Sequence, residues 1–148
     1  MKALLLSTSL FLMAGAAVAD DKSDVLAANN EYLRAFSSLD IKAVEAVWAH
    51  DGNVTVIHPF SKTPAVGWDA VRKSWEEAIS RSIEFSITMD NPHVSVGNNA
   101  AWVVGIEKVR AHRKSGQTEE FSSLATNIYE KRDGRWLMVH HHGSRMPQ

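Results

Sequence analysis

Thr126-Asn127-Ile128-Tyr129-Glu130-Lys131-Arg132-Asp133-Gly134-Arg135-Trp136-Leu137-Met138-Val139-His140-His141-His142-Gly143-Ser144 is the stretch on which the reading of this chain turns. Two runs rich in β-branched and aromatic residues flank an Asp-Gly pair, the strongest short-range signal for a hairpin. A two-residue turn at Asp133-Gly134 sets Arg132 against Arg135, Tyr129 against Met138 and Asn127 against His140. The same register puts Trp136, Met138, His140 and His142 on one face of the second strand, and Leu137, Val139 and His141 on the other. Asn127, Tyr129 and His140 then form a polar patch in an aromatic wall, placed either to orient a small ligand or to satisfy one another.

Working outward, period-two alternation predicts strands over 83–89 and 93–96, interrupted at Asn91-Pro92. A turn at Gly97-Asn98-Asn99 leads into a long strand over 100–112, and Ser115-Gly116 marks the next turn. The N-terminal half has the helical period instead. Val25, Leu26, Asn29, Leu33 and Phe36 predict a helix over 24–38, and Asp40 caps a short one carrying Ile41, Val44, Val47 and Trp48. A strand over 54–58 ends at Pro59, and Trp68, Val71, Trp75, Ala78 and Ile79 define a third amphipathic helix. Helices first and an antiparallel meander after is the α+β pattern.

The first residues read as a secretion leader. Lys2 precedes an almost uncharged run of apolar and small residues to Val18, and Ala17-Val18-Ala19 fits a small-x-small cleavage site, giving a leader at 1–19 and one domain at 20–148. The most apolar part is too short for a bilayer span and is broken by Ser7, Thr8 and Ser9, so no membrane association is expected once the leader is cleaved. A periplasmic or secreted protein follows. The chain holds no cysteine, which excludes disulfides, thiol catalysis and a lipidated-cysteine anchor. Its 16 basic and 17 acidic residues form no basic stripe, a poor match for nucleic acid.

Leu137-Met138-Val139 and Trp102-Val103-Val104 are apolar on both faces of their strands, and a strand apolar on both faces is buried on both. Three short helices cover one face of such a sheet. A second copy of the chain is the simplest cover for the other, so a homodimer, or a larger ring of such dimers, is expected.

Several of these residues also carry a resemblance. Asn91-Pro92-His93-Val94 with Val96, Arg132-Asp133-Gly134-x-Trp136, and Val139-His140-x-His142-x-Ser144 are similar to runs in the association (hub) domain of calcium/calmodulin-dependent kinase II, a member of the SnoaL-like, nuclear transport factor 2-like superfamily. The likeness extends from Asp24 to Ser144, with Gly67 and the helix after it where the family has its third helix. It implies a cone-shaped, curved antiparallel sheet wrapped by three helices, a pocket in the wide end, and dimerisation through the convex face. Two arginines of the hub pocket align with Glu107 and Asn127 here, and neither offers a cationic fork to a carboxylate. Carboxylate binding is therefore not carried over.

Glu107 follows Val103-Val104-Gly105-Ile106, where an ionised carboxylate is costly without a partner. It reads either as a pocket acid with a raised pKa, able to act as a general base as in ketosteroid isomerases of the same superfamily, or as a strand-edge glutamate paired with Lys108, Arg110 or a neighbouring strand. His58, beside Pro59, is the other candidate base. Trp68, after a loop with Pro64 and Gly67, is a candidate for the pocket mouth, while Trp48, Trp75, Trp102 and Trp136 are expected in the core. His140 and His142 lie about 7 Å apart on one face, as an H-x-H metal pair does, but only His58 or Glu107 offers a third ligand. No metal and no cofactor is expected. The ligand-binding set is Glu107, Asn127, Tyr129, His140 and Trp68. The function expected first is a non-catalytic binding and assembly module with a small-molecule pocket; the alternative is an isomerase, cyclase or dehydratase using Glu107 or His58.

Overall fold

A computed structural model describes the backbone of residues 13–147 and the side-chain surroundings of residues 21–147. Helix α1 (Met13–Ser37) is followed by α2 (Ile41–Val47), β1 (Thr55–Ile57), β2 (Ala65–Val66) and α3 (Trp68–Ser80). Four long strands complete the chain: β3 (Ser82–Val96), β4 (Ala100–Arg113), β5 (Thr118–Arg132) and β6 (Arg135–Arg145). The expected leader lies largely outside the described residues, and α1 runs unbroken past Ala19 rather than starting at Asp24. Among the described residues no helix is long and apolar enough to cross a membrane.

The helices form where the spacing places them. Val25, Asn29, Tyr32, Leu33 and Phe36 make the buried stripe of α1. The Asp40 carboxylate accepts the Lys42 N–H at 2.9 Å, capping α2 as expected. In α3, Val71 and Trp75 are the buried positions.

The sheet has the order β2-β1-β6-β5-β4-β3, in which β1 runs parallel to β6 and the other pairs are antiparallel. At the Asp133-Gly134 turn both residues have positive φ (49° and 78°), which matches the twist of a two-residue hairpin. The helices lie on one face only.

Two irregularities bend this sheet. The expected break at Asn91-Pro92 is instead a bulge inside one continuous β3: Asp90 pairs with Ile106 and His93 with Val104, while Asn91 takes a left-handed φ of 50°. Gly105 faces that bulge. A Cβ there would lie 2.7 Å from Met89 Cγ and 3.0 Å from the Asp90 carbonyl oxygen, so a glycine is required by close approach. In β6, Tyr129 pairs with Met138 but Ile128 pairs with His140, leaving Val139 as an extra residue.

That second bulge corrects the expected hairpin register. Arg132 meets Arg135 and Tyr129 meets Met138 as anticipated, but Asn127 meets His141 rather than His140. Past Val139 the inward positions become His141 and Gly143, and His140 and His142 turn to the outer face. Trp102 also departs from expectation. It is 45% exposed on the outer face, which also carries Leu124 at 57%, whereas Trp48, Trp75 and Trp136 are core residues.

Replacing Gly105 by valine should cost about 2 kcal/mol or more, because backbone as well as a side chain must move. Urea unfolding checks this; an unchanged midpoint would mean that β3 yields at its bulge without strain.

Candidate functional site

Between α1, α3 and the inner face of the sheet lies a cavity of about 310 Å³. Its apolar wall comes from Phe36 of α1, Trp75 of α3, Phe85 and Ile87 of β3, Val109 of β4 and Phe121 of β5. Its polar lining includes Tyr32, His58, Glu107 and His141. Ser61, Ser74, Glu77, Arg81 and Arg113 complete the polar part, and an enclosed apolar wall with polar groups converging on it is the composition of a small-molecule site.

Glu107 reaches this place through alternation along β4, where Val103, Glu107, Val109 and Ala111 share the buried side. Only 1% of it is exposed, and its Oε1 has no hydrogen-bond partner among the described residues. Burial raises its pKa from 4.5 to about 7, with the Asn127 side chain pulling the other way. Neither flanking cation is its partner, since Lys108 pairs with Asp90 at 2.5 Å and Arg110 with Glu120 at 3.0 Å; what the neighbouring strand supplies is the Asn127 side chain.

Beside the cavity runs a closed polar chain. The Asn127 amide donates to Asn29 Oδ1 at 2.8 Å, and the Tyr129 hydroxyl donates to the same oxygen at 3.1 Å. With the Asn127 nitrogen so engaged, its oxygen accepts from His141 Nδ1–H at 2.7 Å, which fixes the imidazole in that tautomer. Burial holds the His141 pKa well below its ordinary value, so the ring is neutral. Tyr32 lies 3.4 Å from the same Nδ1. Burial, followed by the charge of Glu107, pushes both tyrosine hydroxyls up, keeping them protonated.

His58 stands on the cavity wall, edge-on to Trp75 at 4.4 Å. Ser74 Oγ donates to the Val71 carbonyl at 2.7 Å, so His58 Nε2–H donates to Ser74 Oγ at 3.1 Å. Burial and then the charge of Arg81 lower the His58 pKa to about 4.

Of the residues singled out from sequence, Glu107 and His58 line one cavity, and Asn127 and Tyr129 back it through Asn29 and His141. His140 does not join them. It sits on the outer face with Thr55 Oγ1 at 2.6 Å, because the Val139 bulge reverses the facing of β6. His140 and His142 are thereby separated from His58 and Glu107, and among the described residues no three metal-ligating side chains come together. Trp68 is not at the mouth either: it stacks on His50 at 3.9 Å, at the first turn of α3. Sequence reasoning missed Tyr32, Trp75 and His141 as cavity residues. Asn29 did carry a signal, as an amide on the otherwise apolar stripe of α1.

A curved sheet that wraps a long helix around a mostly apolar cavity defines a class of pocket-bearing α+β cone proteins. The chain belongs to the SnoaL-like domain family, whose model matches residues 25–148. It is 30% identical over 129 residues, 85% of its length, to calcium/calmodulin-dependent protein kinase type II subunit delta of Oryctolagus cuniculus, and spans 24% of that kinase. Among solved structures it is similar to a proposed association domain of that kinase type from Thiobacillus denitrificans, with 27% identity, a TM-score of 0.70 and coverage of 82% of this chain and 94% of the other. A proposed dehydratase of the NTF2-like family from Streptomyces avermitilis has 21% identity, a TM-score of 0.79 and coverage of 88% and 99%, and shares the fold.

The two buried titrations set a pH optimum of stability. Unfolded, Glu107 titrates at its ordinary 4.5, and folded at about 7, so stability falls as pH rises through that window. His58 acts oppositely: its folded pKa of about 4 lies below the ordinary 6.5, and stability falls as pH drops from 6.5 toward 4. Glu107→Gln should therefore be more stable than the parent at pH 8, by up to about 3 kcal/mol, and no more stable at pH 4. Denaturant unfolding across pH checks it; identical pH profiles for the two proteins would refute the burial cost assigned to Glu107.

Proposed function

We propose that the chain takes a small, mostly apolar molecule into the cavity and that Glu107 moves a proton on it, in a cofactor-independent isomerisation or dehydration. The observation that carries this is the carboxyl itself, buried in the cavity wall with an unpaired oxygen. A carboxyl titrating near neutrality takes and returns a proton with little driving force lost in either direction. A structural carboxylate at this depth would hold a cation or several donors on its oxygens. His58 is the weaker base, because a pKa of about 4 leaves it little affinity for a proton at neutral pH. This shifts weight from the non-catalytic reading expected from sequence, which keeps the same pocket and differs only in the role of Glu107.

Solvent-deuterium exchange into small cyclic ketones, followed by NMR, tests the proposal. Exchange should rise with pH through about 7 and fall at least 100-fold in Glu107→Gln. A Glu107→Gln protein that exchanges as fast as the parent, or a parent that binds the ketones without exchanging them, would return the site to simple binding.

A second proposal concerns assembly. Trp102 and Leu124 stand exposed on the helix-free face, beside partly buried Val104, Ile106, Ile128 and Val139. Apolar surface of that kind on a sheet favours pairing with another copy, and the likeness to kinase association domains supports self-association. Residues 1–19 would act as a leader directing export to the periplasm or beyond. Native mass spectrometry of the exported protein should find a dimer of chains beginning at Asp20, converted to monomer by Trp102→Glu. A monomeric parent would discard the assembly reading, and retention of residues 1–19 the leader.

A further inference from the structure

The consecutive histidines of β6 divide between the two faces of the sheet. His141 belongs to the cavity wall, whereas His140 and His142 stand together on the helix-free face and take no part in the cavity. Their rings lie 6.4 Å apart between centroids, at 75° to one another. Each ring is tied by one nitrogen to a hydroxyl: His140 Nδ1 to Thr55 Oγ1 at 2.6 Å, and His142 Nε2 to Ser144 Oγ at 3.1 Å. With the hydroxyl accepting the ring N–H, the other nitrogen carries a bare lone pair, Nε2 on His140 and Nδ1 on His142. Neither of these nitrogens has a hydrogen-bond partner among the described residues.

The positions flanking the pair across the sheet are Thr55 and Ile57 of β1, and Thr126 and Ile128 of β5. None of them is charged, so no carboxylate there favours protonated rings. Burial, followed by the charge of His142, lowers the His140 pKa. A neutral imidazole held in one tautomer by a hydrogen bond at its second nitrogen is how proteins present histidine to a metal. We infer that His140 and His142 are half of a zinc-class divalent metal site, completed by the same pair from a second copy of the chain. An ion about 2 Å from each nitrogen needs the rings slightly closer, which a small side-chain rotation supplies.

Two imidazoles leave a tetrahedral ion two ligands short. His58 and Glu107 face the cavity on the opposite side of the sheet, and among the described residues no three ligating side chains come together. A second copy is the remaining source. Ile128 pairs on one side with exposed Trp102 and on the other with His140, so the histidines adjoin the apolar surface proposed above to meet another copy. A two-fold contact brings identical surfaces together, and what one copy offers near the axis the other offers too. Imidazole nitrogens suit zinc, whereas magnesium and calcium take oxygen. The inference rests on the assembly proposal and adds a shared ion to it.

Zinc alone is the probe, added to the full-length protein after metal has been stripped with EDTA. Equilibrium dialysis should find one ion per two chains, and sedimentation should find the dimer about tenfold tighter with zinc than with EDTA. The double variant His140→Ala, His142→Ala should lose both effects while its urea midpoint in EDTA stays close to the parent's. Thr55→Val keeps both imidazoles and removes the hydroxyl that holds His140, and it should weaken zinc binding about tenfold. His93→Ala, on the far edge strand β3, should change neither quantity. Zinc retained equally by the parent and the double variant overturns the site, and one ion per chain with unchanged association overturns its sharing. In both cases a dimer that forms in EDTA leaves the assembly reading standing. A protein that stays monomeric with and without zinc discards both.

Discussion

Between Ile128 and Tyr129 of β5, β6 holds one residue more than its neighbour can match, and that residue, Val139, governs what the cavity contains. Side chains alternate strictly along a strand, so a surplus residue exchanges the two faces for everything that follows. Before it, Trp136 and Met138 point into the core. After it, His141 does, and His140 and His142 face outward. Without the bulge Asn127 would meet His140, and the polar chain that now runs through Asn29, Asn127, Tyr129 and His141 would have to be built on a different histidine. The bulge also adds curvature, as does the one in β3, where Gly105 allows Met89 and Asp90 to approach. A sheet bent at two such points can wrap α1 and still leave space beneath it.

What fills the rest of that space follows from solvation. The amides, the phenols and His141 satisfy one another, so they stiffen the wall at low cost. Glu107 Oε1 and Trp75 Nε1 do not: both are buried without a hydrogen-bond partner among the described residues. Hydrogen bonding thus divides the polar residues of the interior: one group completes its bonds within the fold, and the other is buried with bonding capacity unused.

Much of this was legible in the chain. The Asp133-Gly134 turn, the Tyr129–Met138 pairing and the three helices were all readable, because turn chemistry and periodicity are local properties. Glu107 was readable for a similar reason: an acid following four apolar or small residues on a strand has few ways to avoid burial. The Val139 bulge was not. Three successive histidines between a valine and a glycine look alike in either register, so alternation carries no marker of parity there. Trp102 misled because an apolar run reads the same whether its second face is covered or bare. Helical spacing put Trp75 in the core correctly, yet spacing reports a face and says nothing of whether a nitrogen finds an acceptor.

The sheet order has a consequence for how the molecule is made. β6 is the last strand in the chain but lies between β1 and β5, with Thr55, Val56 and Ile57 paired alongside His140, His141 and His142. As the polypeptide emerges from the ribosome, β1 and β2 therefore have only each other until β6 arrives to join them to the meander. Contacts spanning most of the chain are slow to close. The nascent protein should thus remain open, with its hydrophobic helices unseated, until β6 has been made, and reach its enclosed interior in one cooperative step after that.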